Sequence, residues 1–314
     1  MNLDIPSSEE SLMRIKKYIN RTPLSFSERL SKECGANIYL KLENLQKTGS
    51  FKVRGALNKV VNMKSDRPVV AASSGNHGAA VSYALNKKNN KGKIYVPKSV
   101  KKLKADNIRS YGSEVIKFGD DCLDAENEAI RVSKDNNYTF ISPYNDKEVI
   151  SGQGTIGVEI LEENDKIDVV FVTVGGGGLI SGIAHYLKSK NPDIKVIGCS
   201  PENSSIMINS IKHGKIINSQ SKETLSDGSA GGVEEGSITF DLCRNLIDEY
   251  CLVSEEDIAK QIKDSLNYDK IVIEGSAAVA IASLLKMKKG FKDRNIAVII
   301  CGGNIGSETI KSIL

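Results

Sequence analysis

Phe171-Val172-Thr173-Val174-Gly175-Gly176-Gly177-Gly178-Leu179 (FVTVGGGGL) is the stretch of sequence that decides the fold. Its apolar, β-branched first half is typical of a strand covered on both faces, and the following LISGIAHYLK is typical of a helix. Two other segments also place glycines directly after an apolar run, VVAASSGNHG at 69–78 and VIICGGNIG at 298–306. Because ligands collect at the carboxyl ends of parallel strands, we expect the three segments to line one cleft.

Short β-branched runs alternate with helical stretches along the rest of the chain. The predicted strands are 69–72, 93–96, 114–118, 169–174, 195–198 and 296–301, and the predicted helices are 77–86, 101–111, 123–136, 179–188, 255–265 and 276–288. This alternation predicts an α/β protein with parallel sheets and crossover helices.

Composition excludes several classes of function. The 314 residues carry a formal net charge of only +4, and with no Trp and 5% aromatic residues a nucleic-acid-binding surface is not expected. No run of 18 apolar residues predicts a membrane span, and the N-terminus lacks an apolar signal core. The six cysteines are scattered without a CxxC pair, which favours reduced thiols. We therefore expect a cytoplasmic protein.

Four consecutive glycines, Gly175 to Gly178, lie between the central predicted strand and its helix. Bare backbone N–H groups at a helix N-terminus favour a phosphate. The dinucleotide motif GxGxxG fails, because Ile180 occupies its sixth place counted from Gly175, and no Walker lysine follows. The run therefore predicts a small phosphate-binding cup, with a tight packing turn as the alternative.

A lysine flanked by apolar residues is the second chemical signal, namely Lys52 between Phe51 and Val53 in TGSFKVRG. Removal from water lowers the pKa of a lysine amine, which can then form a Schiff base. A Schiff-base lysine combined with a phosphate site is characteristic of pyridoxal phosphate (PLP).

The two remaining glycine segments carry polar groups that could face a cofactor. Asn76 could donate a hydrogen bond to a cofactor oxygen, whereas Ser73 and Ser74 could bind a carboxylate or cap the helix. His77 is expected to be structural, as a single histidine at a helix start usually is. Cys301 could face a ring nitrogen or act as a buried filler.

The motifs SFKVRGA, SSGNHG and GGGGL, in this order, resemble those of the fold-type II PLP enzymes, and specifically the threonine and serine dehydratase branch that includes serine racemase. The resemblance runs from RTPL at 21–24 to CGGNIG at 301–306, nearly the whole chain. It implies two open, twisted, mostly parallel sheet domains with the cofactor in the cleft between them. The large domain would comprise 1–48 and 146–314, the small domain 49–145, and the protein would be a homodimer or homotetramer.

The resemblance also implies a role for each motif residue. Lys52 would carry the cofactor, Phe51 would pack against its ring, and Asn76 would bind its phenolic oxygen. Glu274 would line the ring side, and Cys301 would face the pyridine nitrogen. The phosphate would be cradled by Gly175, Gly176, Gly177, Gly178 and Leu179, and the amino-acid carboxylate would be surrounded by Ser73, Ser74, Gly75, Asn76 and His77.

The chain departs from its apparent family in ways that alter these expectations. Many members have Ser where this chain has Cys301, and both are weak, neutral partners for a ring nitrogen. Some relatives bind a divalent cation through Glu and Asp, but here Ser200 and Ile206 occupy those places. Since isoleucine cannot ligate a cation, we expect no metal there. The chain ends ten residues after Asn304, so no C-terminal regulatory domain is expected.

The implied activity is conversion of L-threonine or L-serine to 2-oxobutanoate or pyruvate plus ammonia, with Lys52 as general base and the cofactor phosphate as the candidate acid. One alternative is an amino-acid racemase with Ser74 as the second acid. Another is a dehydratase of hydroxyaspartate, phenylserine or a hydroxyectoine-derived amino acid, its choice shaped by the loop 226–232. A non-catalytic PLP-binding protein and a nucleotide-binding oxidoreductase are the remaining alternatives.

Overall fold

The computed structural model describes residues 4–314, so residues 1–3 of the predicted large-domain range 1–48 lie outside it. The strands are β1 (Leu24–Phe26), β2 (Asn37–Leu42), β3 (Val69–Ala72), β4 (Gly92–Val96), β5 (Glu114–Lys117), β6 (Thr139–Phe140), β7 (Val169–Thr173), β8 (Lys195–Pro201), β9 (Glu249–Val253) and β10 (Asn295–Ile300). The helices are α1 (Ser8–Ile15), α2 (Glu28–Cys34), α3 (Lys52–Asn62), α4 (Asn76–Lys88), α5 (Lys102–Ser110), α6 (Cys122–Asp135), α7 (Lys147–Glu163), α8 (Gly178–Lys190), α9 (Ile206–His213), α10 (Ile238–Leu246), α11 (Glu255–Asp264), α12 (Gly275–Met287) and α13 (Ser307–Ile313).

The strands form two separate sheets. The larger has six strands in the order β1-β2-β10-β7-β8-β9, all parallel except β1, which pairs antiparallel with β2 at the edge. The smaller has four parallel strands in the order β5-β4-β3-β6. All four strands of the smaller sheet fall within the predicted small-domain range 49–145.

Burial on both faces explains why the central strands are continuously apolar. Every residue of β7 is buried, as are all residues of β10 except the first. Helices α8 and α12 contribute buried side chains to the same core as these strands. A second apolar core joins α3, α4 and the smaller sheet. Sheets covered on both faces place their ligand sites at the strand ends, where the chain is free to vary.

The predicted fold class is confirmed. Each of the six strands and six helices predicted from the sequence is present, with ends that differ by no more than three residues. Prediction missed four strands (β1, β2, β6 and β9) and seven helices (α1, α2, α3, α7, α9, α10 and α13). Within residues 4–314, no helix is long and apolar enough to cross a membrane.

Phe171 provides a test of the larger core. Its side chain in β7 is fully buried and packs edge-on against Phe291, with ring centroids 5.5 Å apart. Phe171→Ala is expected to lower the free energy of unfolding by about 3–5 kcal/mol in urea denaturation. The control Phe26→Ala removes a ring that is 50% exposed and should cost far less. Equal effects of the two substitutions would contradict this account of the core.

Candidate active site: the cleft between the two sheets

The three glycine-bearing segments meet at one pocket. Residues that follow β3, β7 and β10 line it, together with the first turn of α3. The lining residues are Phe51, Lys52, Asn76, Tyr144, Thr173, Gly175, Gly176, Gly177, Gly178, Leu179, Gly228, Ser229, Glu274, Ser276 and Cys301. The expected common cleft at the strand ends is therefore present.

Lys52 begins α3 and its amine lies inside the pocket. Its Nζ donates a hydrogen bond to the Pro143 carbonyl oxygen at 3.0 Å. Burial lowers the pKa of Lys52 to about 8, although the nearby Cys301 and Glu274 act in the opposite direction. A far larger share of the amine is thus uncharged at neutral pH than in an exposed lysine, as nucleophilic attack on an aldehyde requires.

The glycine run turns the chain from β7 into α8. Gly177 has φ +86, a left-handed conformation that L side chains rarely adopt, and it caps α8 without any side-chain hydrogen bond. The first N–H groups of α8 therefore remain free of side-chain partners beside the pocket. This arrangement provides donors and the positive end of a helix dipole, which suits the phosphate group of a cofactor.

Protein contacts also require glycine in this run. A Cβ at Gly176 would overlap the ring of Tyr144, and one at Gly178 would lie 2.9 Å from Tyr144 backbone and side-chain carbons. A Cβ at Gly175 would lie 2.8 Å from the carbonyl oxygen of Ser229. Close packing excludes side chains from the run, so its backbone amides stay bare at the pocket. The run can therefore be both a tight packing turn and a phosphate-binding cup.

A buried carboxyl group links the smaller sheet to the larger across the pocket. The Asn76 side chain donates to both oxygens of Glu274 at 3.0 Å, and the Asn304 backbone N–H donates to Oε2 at 3.1 Å. Asn304 Nδ2 in turn donates to Asn76 Oδ1 at 2.8 Å. Burial raises the pKa of Glu274 to about 7, against the lowering effect of Asn76. This carboxyl group can therefore gain or lose a proton near neutral pH.

Cys301 follows β10 at the floor of the pocket. Burial, with a contribution from the charge of Glu274, raises the pKa of its thiol well above the ordinary value. The group is a neutral thiol, so it fits opposite a ring nitrogen that carries no proton. The backbone of Cys301 also accepts the Phe51 N–H at 3.0 Å, which ties the start of α3 to β10.

The remaining predicted residues lie in the turn between β3 and α4, beside the pocket and not among its lining residues. Ser73 Oγ accepts the Gly75 N–H at 3.1 Å. Burial lowers the pKa of His77 to about 3, and its Nε2 lies 2.9 Å from the Ile141 carbonyl oxygen. A neutral His77 that donates this bond ties the turn to the end of β6, in keeping with the structural role expected for it.

Three lining residues, Tyr144, Thr173 and Ser276, were missed from the sequence. Tyr144 follows β6 and shapes the glycine run, whereas Thr173 ends β7 and donates to the Ser276 carbonyl oxygen at 2.6 Å. Tyr144 could have been identified because ligands collect at the carboxyl ends of parallel strands. Strand β6, which precedes it, is only two residues long, so its sequence shows no periodic pattern. Gly228 and Ser229 belong to the loop 226–232, which reaches the pocket as expected.

No group of three or more His, Cys, Asp or Glu side chains within residues 4–314 is arranged to hold a metal ion. At the stretch where relatives place a cation, Ser200 Oγ donates to the Val174 carbonyl oxygen at 2.9 Å, and Ile206 is buried in the larger core. The absence of a metal at this stretch remains a prediction.

The fold and the pocket define a class: an α/β protein in which a buried lysine amine and a glycine run suited to a phosphate share one pocket between two sheets. The family described as "Pyridoxal-phosphate dependent enzyme" matches residues 15–302. The chain therefore belongs to the pyridoxal-phosphate-dependent enzyme family, as the sequence motifs indicated. Its cofactor is pyridoxal 5'-phosphate.

Individual relatives narrow the branch. The chain is 41% identical over 309 residues to an L-threonine ammonia-lyase of Thermotoga maritima, covering 98% of this chain and 77% of the relative. It is 38% identical over 309 residues to the catabolic L-threonine dehydratase TdcB of Escherichia coli, covering 97% and 94%. Among solved structures it is similar to maize serine racemase, with a TM-score of 0.92, 33% identity and coverage of 98% and 96%. The predicted dehydratase and serine racemase branch is confirmed.

Substitution of Gly176 tests the predicted phosphate-binding cup. Gly176→Ala places a methyl group against the Tyr144 ring and displaces the backbone amides that would hold the phosphate. We expect cofactor affinity to fall by at least about tenfold, the effect of losing 1.4 kcal/mol, measured by titrating the visible absorbance of the bound cofactor. The control Gly290→Ala adds a methyl group that meets nothing within 4 Å. Native cofactor affinity in Gly176→Ala would refute the cup.

Proposed function

We propose that this chain is a pyridoxal-phosphate-dependent ammonia-lyase that converts L-threonine and L-serine to 2-oxobutanoate and pyruvate, with release of ammonia. The observation that carries the proposal is the buried Lys52 amine, which shares one pocket with the glycine run. The names of the two relatives support the substrate class, since both act on L-threonine and both align with nearly all of this chain.

When bound, pyridoxal phosphate supplies an electron sink that stabilises negative charge at the Cα atom of the amino acid. Lys52 Nζ takes the Cα proton as general base, because burial keeps part of its amine population neutral at physiological pH. The Pro143 carbonyl oxygen stabilises the resulting ammonium through the hydrogen bond at 3.0 Å. The amides that begin α8 would hold the phosphate, and the neutral Cys301 thiol would face the ring nitrogen without a charge that favours its protonation.

We assign the substrate carboxylate to the turn that contains Ser73, Ser74, Gly75, Asn76 and His77. Two features support this assignment. Helix α4 begins in this turn without a side-chain cap, so backbone N–H groups are available to an anion. A Cβ at Gly75 would meet no atom within 4 Å, which leaves room for a ligand beside the backbone.

Racemisation of serine is the second candidate function. The structural similarity to maize serine racemase favours it, and Ser74, in the turn before α4, is the candidate acid for the opposite face of the substrate. Chiral analysis of serine recovered from the reaction separates the two functions. D-serine formed faster than pyruvate would make racemisation the principal activity.

Three further assignments complete the proposal. Residues 49–145 form the small domain and the rest of the chain forms the large one, supported by the confinement of the smaller sheet to that range. The protein is a homo-oligomer, a dimer or a tetramer, and it works in the cytoplasm. The family resemblance supports the oligomer, and the absence of any membrane-spanning helix within residues 4–314 is consistent with the location.

Lys52→Ala tests the proposed base. Release of 2-oxo acid from L-threonine and L-serine is expected to fall by about 10²–10⁴-fold or more, because the general base and the cofactor attachment are lost together. The control Lys47→Ala removes an exposed lysine five residues away and should leave the rate unchanged. Turnover by Lys52→Ala at more than a tenth of the native rate would refute the role of Lys52.

A further inference from the structure

The first turn of α3 contains a fully buried arginine, Arg54, that the mechanism above does not use. Its guanidinium forms two-pronged ion pairs with two buried carboxylates. Nε and Nη2 contact Glu43 at 2.7 and 2.8 Å, and Nη1 and Nη2 contact Glu159 at 2.8 Å each. Nη1 also donates to Thr155 Oγ1 at 3.1 Å. Each of the three guanidinium nitrogens of Arg54 therefore donates to at least one of these partners.

A second buried cation completes the cluster. Lys41, also fully buried, contacts Glu159 at 2.8 Å and donates to the Thr22 carbonyl oxygen at 2.6 Å. Glu163, which is partly exposed, also contacts Lys41 at 3.3 Å. The two buried cations thus face two buried carboxylates and a third nearer the surface, which offsets the cost of removing the cations from water. Burial opposes ionisation of Glu159, but Arg54 and Lys41 outweigh it and lower the pKa of this carboxyl group. Arg54 and Lys41 therefore favour the charged form of Glu159.

The cluster joins three elements at the base of the cleft. Arg54 lies in α3, Glu43 directly follows β2, and Glu159 lies in α7. Helices α3 and α7 also approach closely at Gly55 and Gly152, where a Cβ on Gly152 would lie 2.7 Å from the Gly55 Cα. That contact sets the distance between the helices, but it does not set the rotation of α3 about its own axis. The buried apolar face of α3 and the hydrogen bonds from Asn58 to α7 restrain this rotation along the helix. The two carboxylates, held by different elements, add a restraint at the turn that carries Lys52.

Rotation of α3 matters because Lys52 is two residues from Arg54. A helix has a Cα radius of about 2.3 Å, and an extended lysine adds roughly 6 Å, so a rotation of about 10° moves Nζ by roughly 1.4 Å. A misplacement of about 1 Å can reduce catalysis by about 100-fold. We propose that Arg54, clamped between Glu43 and Glu159, is a positioning residue that aims the Lys52 amine at the reacting carbon.

Arg54→Lys is the variant that tests this positioning role. It keeps the positive charge that the two carboxylates require but cannot form both two-pronged contacts. The inference rests on the proposed function, so kcat and KM for L-threonine are measured with the holoenzyme. We expect kcat to fall by about 10–100-fold while KM changes by less than about threefold, because the segments assigned to the phosphate and the substrate carboxylate are untouched.

A second readout does not depend on turnover. The visible circular dichroism of the bound cofactor reports how it is held relative to the protein, and this band should weaken or shift in Arg54→Lys at unchanged cofactor content. If the native enzyme releases no oxo acid from any β-hydroxy amino acid, the proposed function fails, and the dichroic band still tests Arg54.

Arg29→Lys is the matched control. Arg29 also forms a two-pronged pair, with Asp269 at 3.0 and 2.6 Å, but it lies outside the pocket and is partly exposed. The Arg29→Lys variant should leave kcat and the dichroic band unchanged. Native kcat and dichroism in Arg54→Lys would overturn the inference even if its melting temperature falls, since that pattern describes a purely structural residue. Equal losses in both variants would overturn it as well.

Thr155→Val replaces Arg54→Lys if that variant is insoluble. It keeps all four charges and the side-chain shape but removes the hydrogen bond from the guanidinium to Thr155 Oγ1 and the bond from Thr155 Oγ1 to the Gly152 carbonyl oxygen at 2.7 Å. We expect a loss of kcat that is smaller than in Arg54→Lys, because both two-pronged ion pairs remain, again with a changed dichroic band. Native values of both quantities in Thr155→Val would overturn the inference.

Discussion

The constraint on which the rest of the structure depends is the removal of one lysine amine from water. Lys52 can act as nucleophile and base only where burial lowers its pKa, and here the value is about 8. The structure achieves this by starting α3 at the lysine and closing the cleft over it from both sheets. The hydrogen bond to Pro143 then satisfies the amine without adding a negative charge that would raise its pKa.

Contacts within the protein explain several of the glycines that the sequence motifs assign to cofactor binding. Tyr144 requires glycine at 176 and 178, and the Ser229 backbone requires it at 175. Because these contacts keep the run free of side chains, no side chain of the run covers the amides at the start of α8. The network of Asn76, Glu274 and Asn304 similarly joins the two sheets through contacts within the protein. The site is therefore organised by the protein itself.

The sequence predicted the parts of the fold that obey simple patterns. Strands β3, β7 and β10 are continuous apolar runs followed by glycines, so both their position and the cleft at their ends were predictable. Strand β2 was missed because it contains Lys41, a charged residue that is buried only because Glu159 and Glu163 pair with it. Helix α7 carries three glycines between its ends, which conceals a helical pattern. Partners that come from distant parts of the chain cannot be inferred from local periodicity, and this applies equally to Tyr144 and Arg54.

Chemical mapping of the cofactor attachment tests the central claim most directly. Borohydride reduction of the holoenzyme fixes the cofactor to the amine that carries it, and peptide mass spectrometry then identifies that residue. We predict one modified residue per chain, Lys52, in the peptide that contains SFK. Attachment to any other lysine, or a Lys52 that remains unmodified in cofactor-saturated protein, would contradict the account.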